Sequence, residues 1–191
     1  MPPISRRHML GTAAALLAGG LAACGGSGDD ATPPRTTLLV YLLGSNLESM
    51  GNAGTTNLLE MLAAQGSAYT RVIITTGGAD KRDPGGLVPS WKTVKRFELA
   101  NGALKELADL GARDMDSSDT LQDFLIWGVR TYPAERTMLA LWDHGSGYYG
   151  YGGDENYPGE GKMMSLPAMS AALQGFKAAT GITLDYIGFD A

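Results

Sequence analysis

The sequence has 191 residues, of which 44% are hydrophobic and 18% are charged, and its formal net charge is −5. This length and composition fit one globular domain with a short additional segment. The net charge and the lack of a basic stripe argue against nucleic-acid binding. Cys24 is the only cysteine, so the chain can form no internal disulfide. His8 and His144 are the only histidines, which excludes a metal site rich in His or Cys.

The first 23 residues have the pattern of an export signal and are set apart from the fold. Arg6 and Arg7, in SRRHML, resemble a twin-arginine signal, and the apolar run that follows is short for a membrane-spanning helix. LAAC, which ends at Cys24, is similar to a bacterial lipobox and implies cleavage before Cys24 and lipid attachment to its thiol. An ordinary secretory signal with a chance cysteine is the alternative. Residues 24–35, rich in Gly, Ser and Pro, are predicted to form a flexible tether.

From Thr36 onward, short runs of strand-forming residues alternate with amphipathic segments. TTLLVYLL and TRVIITT are typical of strands buried on both faces of a parallel sheet. Between them, NLLEML has helical spacing, and Gly66 ends this pattern. WKTVKRFEL alternates apolar and polar residues. Together with ANG and ALKELADLG, it predicts a β-hairpin.

The second half of the chain repeats this order of elements. SSDTLQDFLIWGVRTYP predicts a helix capped by Ser117, Ser118 or Asp119, and RTMLALW is a third buried strand. A helix from Ser165 to Gly181 follows, and then the strand TLDYIGFD. Strands and helices that alternate at these lengths indicate parallel pairing with right-handed crossovers. The predicted fold class is therefore α/β with a mostly parallel central sheet.

The densest functional signal is LALWDHGSGYYGYGGDE. His144 follows the third buried strand almost at once, at a sheet edge where α/β proteins gather their active-site residues. Histidine titrates near neutral pH and suits general base catalysis, although a turn histidine bonded to local backbone would have the same sequence. Asp143 could orient His144, but adjacent residues at a strand end point apart, which favours a structural role. The last strand should end beside His144, so a cysteine just past Ala191 could be activated by this histidine.

TTLLVYLLGSNLES, LALWDHGSGY and LDYIGFDA together resemble the clostripain family of cysteine peptidases, from Thr36 to Ala191. The resemblance implies a caspase-like three-layer sandwich and cleavage after Arg or Lys in protein or peptide substrates. It implies that His144 is the catalytic histidine, that the N–H of Gly145 helps to bind the oxyanion, and that Asp190 lies in the pocket for the basic side chain. The family's nucleophile, in the pattern DACxM, would follow Ala191. We therefore expect a domain that is incomplete at its C-terminus, and residues 1–191 alone to be inactive.

The loop GGDENYPGEGKMMS, residues 152–165, is acidic and rich in glycine. Some relatives depend on calcium, and the loop could hold this ion, but its carboxylates lack the EF-hand spacing, which favours a solvated loop. The motifs require no cofactor. Lys162 is the only basic residue between His144 and Lys177. Family members can cleave themselves after a basic residue in this region, which makes Lys162 a hypothetical self-cleavage site.

The combined prediction is the N-terminal part of an exported peptidase that is lipid-anchored to a membrane of the bacterial cell envelope. The unpaired edge of the last strand would favour association with a complementary chain, such as the missing C-terminal part. One alternative is a caspase-like domain without a nucleophile that binds ligands in the same pocket. A flavodoxin-like binder is disfavoured, because GSNLESMG lacks a phosphate-cradling pattern. The DNA after the last codon separates the first two, since a Cys-x-Met codon series there favours the peptidase.

Overall fold

The computed structural model describes residues 35–64, 66–157 and 162–191. The predicted export signal, Cys24 and the tether up to residue 34 lie outside these residues. The strands in the described part of the chain are β1 (Thr36–Leu43), β2 (Thr70–Gly77), β3 (Lys95–Ala100), β4 (Ala103–Asp109), β5 (Arg136–Trp142) and β6 (Tyr186–Asp190). The α-helices are α1 (Ser45–Gly51), α2 (Ala53–Ala63), α3 (Ser118–Thr131) and α4 (Leu166–Thr180), and Gly147–Tyr149 forms a short 3-10 helix.

The six strands form one sheet in the order β4-β3-β2-β1-β5-β6. β1 lies at the centre and pairs in parallel with β2 and β5, and β6 pairs in parallel with β5. β3 and β4 form the predicted antiparallel hairpin. Its turn uses Asn101 and Gly102, whose φ angles of 53° and 70° suit a two-residue hairpin turn. The predicted α/β fold with a mostly parallel sheet is confirmed.

Both faces of the central strands are covered, which explains their continuous apolar sequences. Leu39 and Tyr41 of β1 pack in a core that includes buried side chains of α3 and α4. Val40 and Leu42, which alternate with them, pack in a second core with Leu58 of α2. The described residues therefore form three layers, with the sheet in the middle. None of the helices among the described residues is long and apolar enough to cross a membrane.

The segment after β1 forms two helices, α1 and α2, where the sequence pattern indicates one helix before Gly66. Asn52 separates them with a left-handed φ of 55°. Glu48 is fully buried at this corner, and its carboxylate accepts hydrogen bonds from the N–H and the hydroxyl of Thr55, both at 2.7 Å. Lys81, in the loop after β2, pairs with Glu48 and donates to the side chain of Asn52 at 2.6 Å. This buried ion pair ties the two helices to the neighbouring loop.

Candidate active site

The carboxyl ends of β5 and β6 bring the predicted site residues together. Trp142 pairs with Asp190 at the end of the two strands. The N–H of Asp143 then donates to the carbonyl of Asp190 at 3.3 Å. One residue further along, a Cβ built on Gly145 would lie 3.2 Å from the Cβ of Ala191. The segment from His144 to Gly145 therefore runs beside the residues that follow β6, as the predicted strand adjacency requires.

His144 makes its side-chain contact with a residue far away in the sequence. Its ring Nε2 lies 2.8 Å from the Oδ1 of Asn46, which is 98 positions away and follows β1. The backbone of His144 is held separately, since its N–H donates to Asp143 at 2.7 Å and its carbonyl accepts from the N–H of Gly152 at 3.0 Å. The ring is exposed. His144 is thus not a turn histidine whose ring is bonded to local backbone.

Asp143 is fully buried and holds three segments of backbone around His144. Its Oδ1 accepts from the N–H of His144 and from the hydroxyl of Ser45 at 2.6 Å, and its Oδ2 accepts from the N–H of Gly153 at 3.1 Å. Burial raises the pKa of Asp143 to about 6, while these hydrogen bonds and the nearby His144 ring oppose that shift. No contact joins the carboxylate to the ring of His144. The structural role favoured by the sequence agrees with this geometry.

A cleft of about 380 Å³ opens at this edge of the sheet. It is lined by Ser45, Asn46, His144, Ser146, residues 152–155, Lys162 and Met163. Gly145 and Asp190 are not among the lining residues. A larger cleft of about 840 Å³ lies at the opposite end of the sheet, near the start of β1 and β2, and its lining contains no histidine. The smaller cleft is therefore the better candidate for chemistry.

Asp154, in the acidic loop after β5, is less solvated than the sequence of this loop indicates. Asp154 is only 4% exposed. Its carboxylate accepts from the N–H groups of Met115 and Asn156, both at 2.8 Å, and its own N–H donates to Asp116 at 3.1 Å. Burial raises the pKa of both carboxyls, to about 6 in Asp116. Both carboxylates thus already accept hydrogen bonds from backbone N–H groups. Within residues 35–64, 66–157 and 162–191, no group of three His, Cys, Asp or Glu side chains is arranged to hold a metal ion.

Lys162 lies at the border of the cleft and is engaged by acidic side chains. Its Nζ is 2.6 Å from Asp114 and 3.5 Å from Asp116. The same ammonium lies 5.0 Å from the ring centroid of Tyr157, within the range of a cation–π contact. The hypothetical self-cleavage residue is therefore close to His144 in the fold, with its side chain paired to a neighbouring segment.

Comparison with known proteins supports this description of the fold. A model of the clostripain family matches residues 40–191, and the chain belongs to this family. No curated protein matches the sequence. A secreted C11 cysteine protease from Bacteroides thetaiotaomicron, solved with an irreversible peptide inhibitor, is 20% identical with a TM-score of 0.61, over 83% of this chain and 42% of that chain. An inactive zymogen C11 protease from Parabacteroides distasonis is 22% identical with a TM-score of 0.58, over 84% and 42%.

At these identities the likeness shows that the chain has the α/β fold of C11 cysteine proteases. The chain spans about two fifths of the length of both solved structures.

Ser45 and Asn46 are functional candidates that the sequence did not single out. They sit in GSN, at the carboxyl end of β1, and β1 is the strand next to β5 in the sheet. Parallel neighbours end at the same edge, so polar residues after β1 belong beside those after β5. The polar residues after β1 are visible in the sequence, but their place beside His144 becomes clear only when β1 is known to lie next to β5.

Proposed function

We propose that residues 36–191 form the N-terminal part of the catalytic domain of a clostripain-type cysteine endopeptidase that cleaves after Arg or Lys. The observation that carries this proposal is the position of His144, at the end of β5 and beside Ala191 at the end of β6. In the family's pattern the nucleophilic cysteine follows the residue matched by Ala191. A cysteine at that point would leave the sheet next to the imidazole.

The proposed reaction uses His144 as the base. The imidazole takes the proton of the cysteine thiol, and the thiolate attacks the carbonyl carbon of the Arg or Lys residue. The carbonyl oxygen becomes an oxyanion that accepts from the N–H of Gly145 and the N–H of the cysteine. When the tetrahedral intermediate collapses, the C–N bond breaks and the leaving amine takes the proton from the imidazolium. Water then hydrolyses the thioester with the same base and restores the thiol.

Two further features support these roles. The N–H of Gly145 makes no hydrogen bond within the described residues, so this donor is available to an oxyanion. Asp190 is exposed at the end of β6, one residue before Ala191. A carboxylate in that position can pair with the guanidinium or ammonium group of a substrate. Protein or peptide substrates with Arg or Lys are therefore the proposed partners.

The test of this function is a set of peptide reporters that differ only at the residue before the scissile bond. A chain that continues past Ala191 through the cysteine and the rest of the sheet should turn over Arg and Lys reporters and not an uncharged one. Residues 1–191 alone should show no turnover, because the nucleophile is not among them. Arg-reporter turnover by residues 1–191 would contradict the proposal, as would equal rates on charged and uncharged reporters.

Self-cleavage after Lys162 belongs to the same proposal. Its support is the position of Lys162 at the cleft and its basic side chain. Before it could occupy the pocket for a basic residue, Lys162 must leave its ion pair with Asp114. Sequencing the new amino terminus of the active enzyme should give Met163 as its first residue, and Lys162→Ala should prevent that cut. Full activity in an enzyme without this cut would remove Lys162 from the proposal.

We also propose that residues 1–23 form an export signal, that Cys24 carries a lipid, and that residues 24–35 tether the domain to the membrane. The support is the sequence pattern of these residues, of which residues 1–34 lie outside the described structure. The similar protein from B. thetaiotaomicron is itself described as secreted. Incorporation of a labelled fatty acid that is lost in Cys24→Ala would be the direct measurement.

A further inference from the structure

The position of Asn46 beside His144 is built by the turn that follows β1. The N–H of Gly44 donates to the carbonyl of Gly77 at 2.8 Å and fixes the end of β1 against β2. Ser45 has a left-handed φ of 42°, and its hydroxyl donates to the buried Asp143. These contacts turn the chain into α1 and bring the Oδ1 of Asn46 to 2.8 Å from the Nε2 of His144. The contact therefore rests on two anchored strand ends.

We propose that Asn46 is a positioning residue that fixes the tautomer and the orientation of the His144 ring. The amide oxygen of Asn46 can only accept a hydrogen bond. A neutral imidazole has one N–H, which must then lie on Nε2, and the lone pair lies on Nδ1. Nδ1 is thereby assigned as the atom that takes the thiol proton. This inference deepens the proposed function and rests on it for its catalytic meaning.

The carboxylate next to His144 cannot serve this purpose. Asp143 already accepts from Ser45, from the N–H of His144 and from Gly153, and it makes no contact with the ring. Its part is indirect, since it holds the turn that carries Asn46. Asn46, in contrast, offers its amide oxygen directly to the ring at 2.8 Å.

The tautomer can be measured on residues 1–191 and needs no activity. With ¹⁵N-labelled histidine and His8→Gln, His144 gives the only ring signals in the spectrum. At alkaline pH, where an imidazole is neutral, Nε2 should have the chemical shift of a protonated nitrogen and Nδ1 that of an unprotonated one. Asn46→Leu, which keeps the size and removes the acceptor, should move both shifts toward the averaged values of a free histidine. Ser146→Ala is the control: Ser146 lines the same cleft but makes no hydrogen bond to the ring, so this variant should leave both shifts unchanged.

Either of two results in this spectrum would overturn the inference. One is a ring protonated on Nδ1, and the other is a spectrum that Asn46→Leu does not change. Both results stand whether or not the chain is a peptidase, so they are distinct from a failure of the proposed function.

Activity provides the second measurement, in a chain that contains the cysteine. Asn46→Leu should lower kcat by roughly 10- to 100-fold with little change in KM, since a misplaced catalytic group can cost this much. Asn46→Asp keeps an acceptor for the Nε2 proton and should recover most of the lost kcat. If His144 proves essential while Asn46→Leu keeps full kcat, Asn46 has no positioning role. If His144 proves dispensable for activity, the proposed function fails, and the ¹⁵N spectrum alone shows whether Asn46 fixes the tautomer of His144.

Discussion

Replacing His144 with Ala should abolish turnover of Arg and Lys reporters by a chain that includes the cysteine, lowering kcat/KM by about 1,000-fold or more. His144 is the one histidine at the carboxyl ends of β5 and β6 in the described residues, and the thiol is a weak nucleophile until its proton is removed. The measurement is the initial rate on an Arg reporter over a range of substrate concentrations, which separates kcat from KM.

A matched control makes this loss interpretable. Ser146→Ala alters another residue of the same cleft and should keep kcat/KM within a few-fold of the parent. His144 is exposed, so its truncation should leave the thermal unfolding midpoint nearly unchanged. A loss of activity below about tenfold in His144→Ala would mean that the base has been assigned wrongly.

The largest expected effect on stability comes from Lys81→Met, which should lower the free energy of unfolding by about 3–5 kcal/mol. The substitution removes the cation that pairs with Glu48, a carboxylate with no solvent exposure, and also the partner of the Asn52 side chain. The hydrogen bonds from Thr55 remain but do not neutralise the charge. Urea unfolding followed by tryptophan fluorescence measures this difference.

The chain offers a matched control for that measurement. Lys92 pairs with Asp80 nearby, but the two side chains are 37% and 63% exposed, so Lys92→Met should cost about 1 kcal/mol or less. In the double variant Glu48→Gln with Lys81→Met, the unpaired charge is gone, and much of the lost stability should return. Equal costs for Lys81→Met and Lys92→Met would show that apolar packing alone holds the corner between α1 and α2.

The strands and helices were predictable where residues close together in the sequence determine the structure. Continuous apolar runs predict the buried strands, and Asn101 and Gly102 predict the hairpin turn. Ser117 and Ser165 cap α3 and α4 as expected, and Gly181 ends α4 in a left-handed conformation. The division between α1 and α2 was not predictable, because it depends on a buried ion pair between segments distant in sequence.

The candidate site divides in the same way. The approach of His144 to the end of β6 follows from the adjacency of the last two strands, which the alternation of elements predicts. The contact with Asn46 depends instead on the register of β1 against β5, in which Leu42 pairs with Trp142. Local sequence does not encode this register. Asp154 had an acidic, glycine-rich context that indicates solvent exposure, and its burial comes from backbone donors in another loop.

The strand order β1-β5-β6 spaces the proposed reacting groups along one edge of the sheet. Neighbouring strands in a sheet lie about 4.8 Å apart. The acceptor after β1, the base after β5 and the residue after β6 are therefore each about one strand spacing from the next. This spacing is set by the backbone hydrogen bonds between the strands and by the short turns that directly follow them, and not by the rest of the segments that join the strands. The crossovers can therefore grow or shrink over evolutionary time while the spacing of the reacting groups stays the same. A protein built in this way can change its connecting segments beyond these turns without changing the geometry of the site.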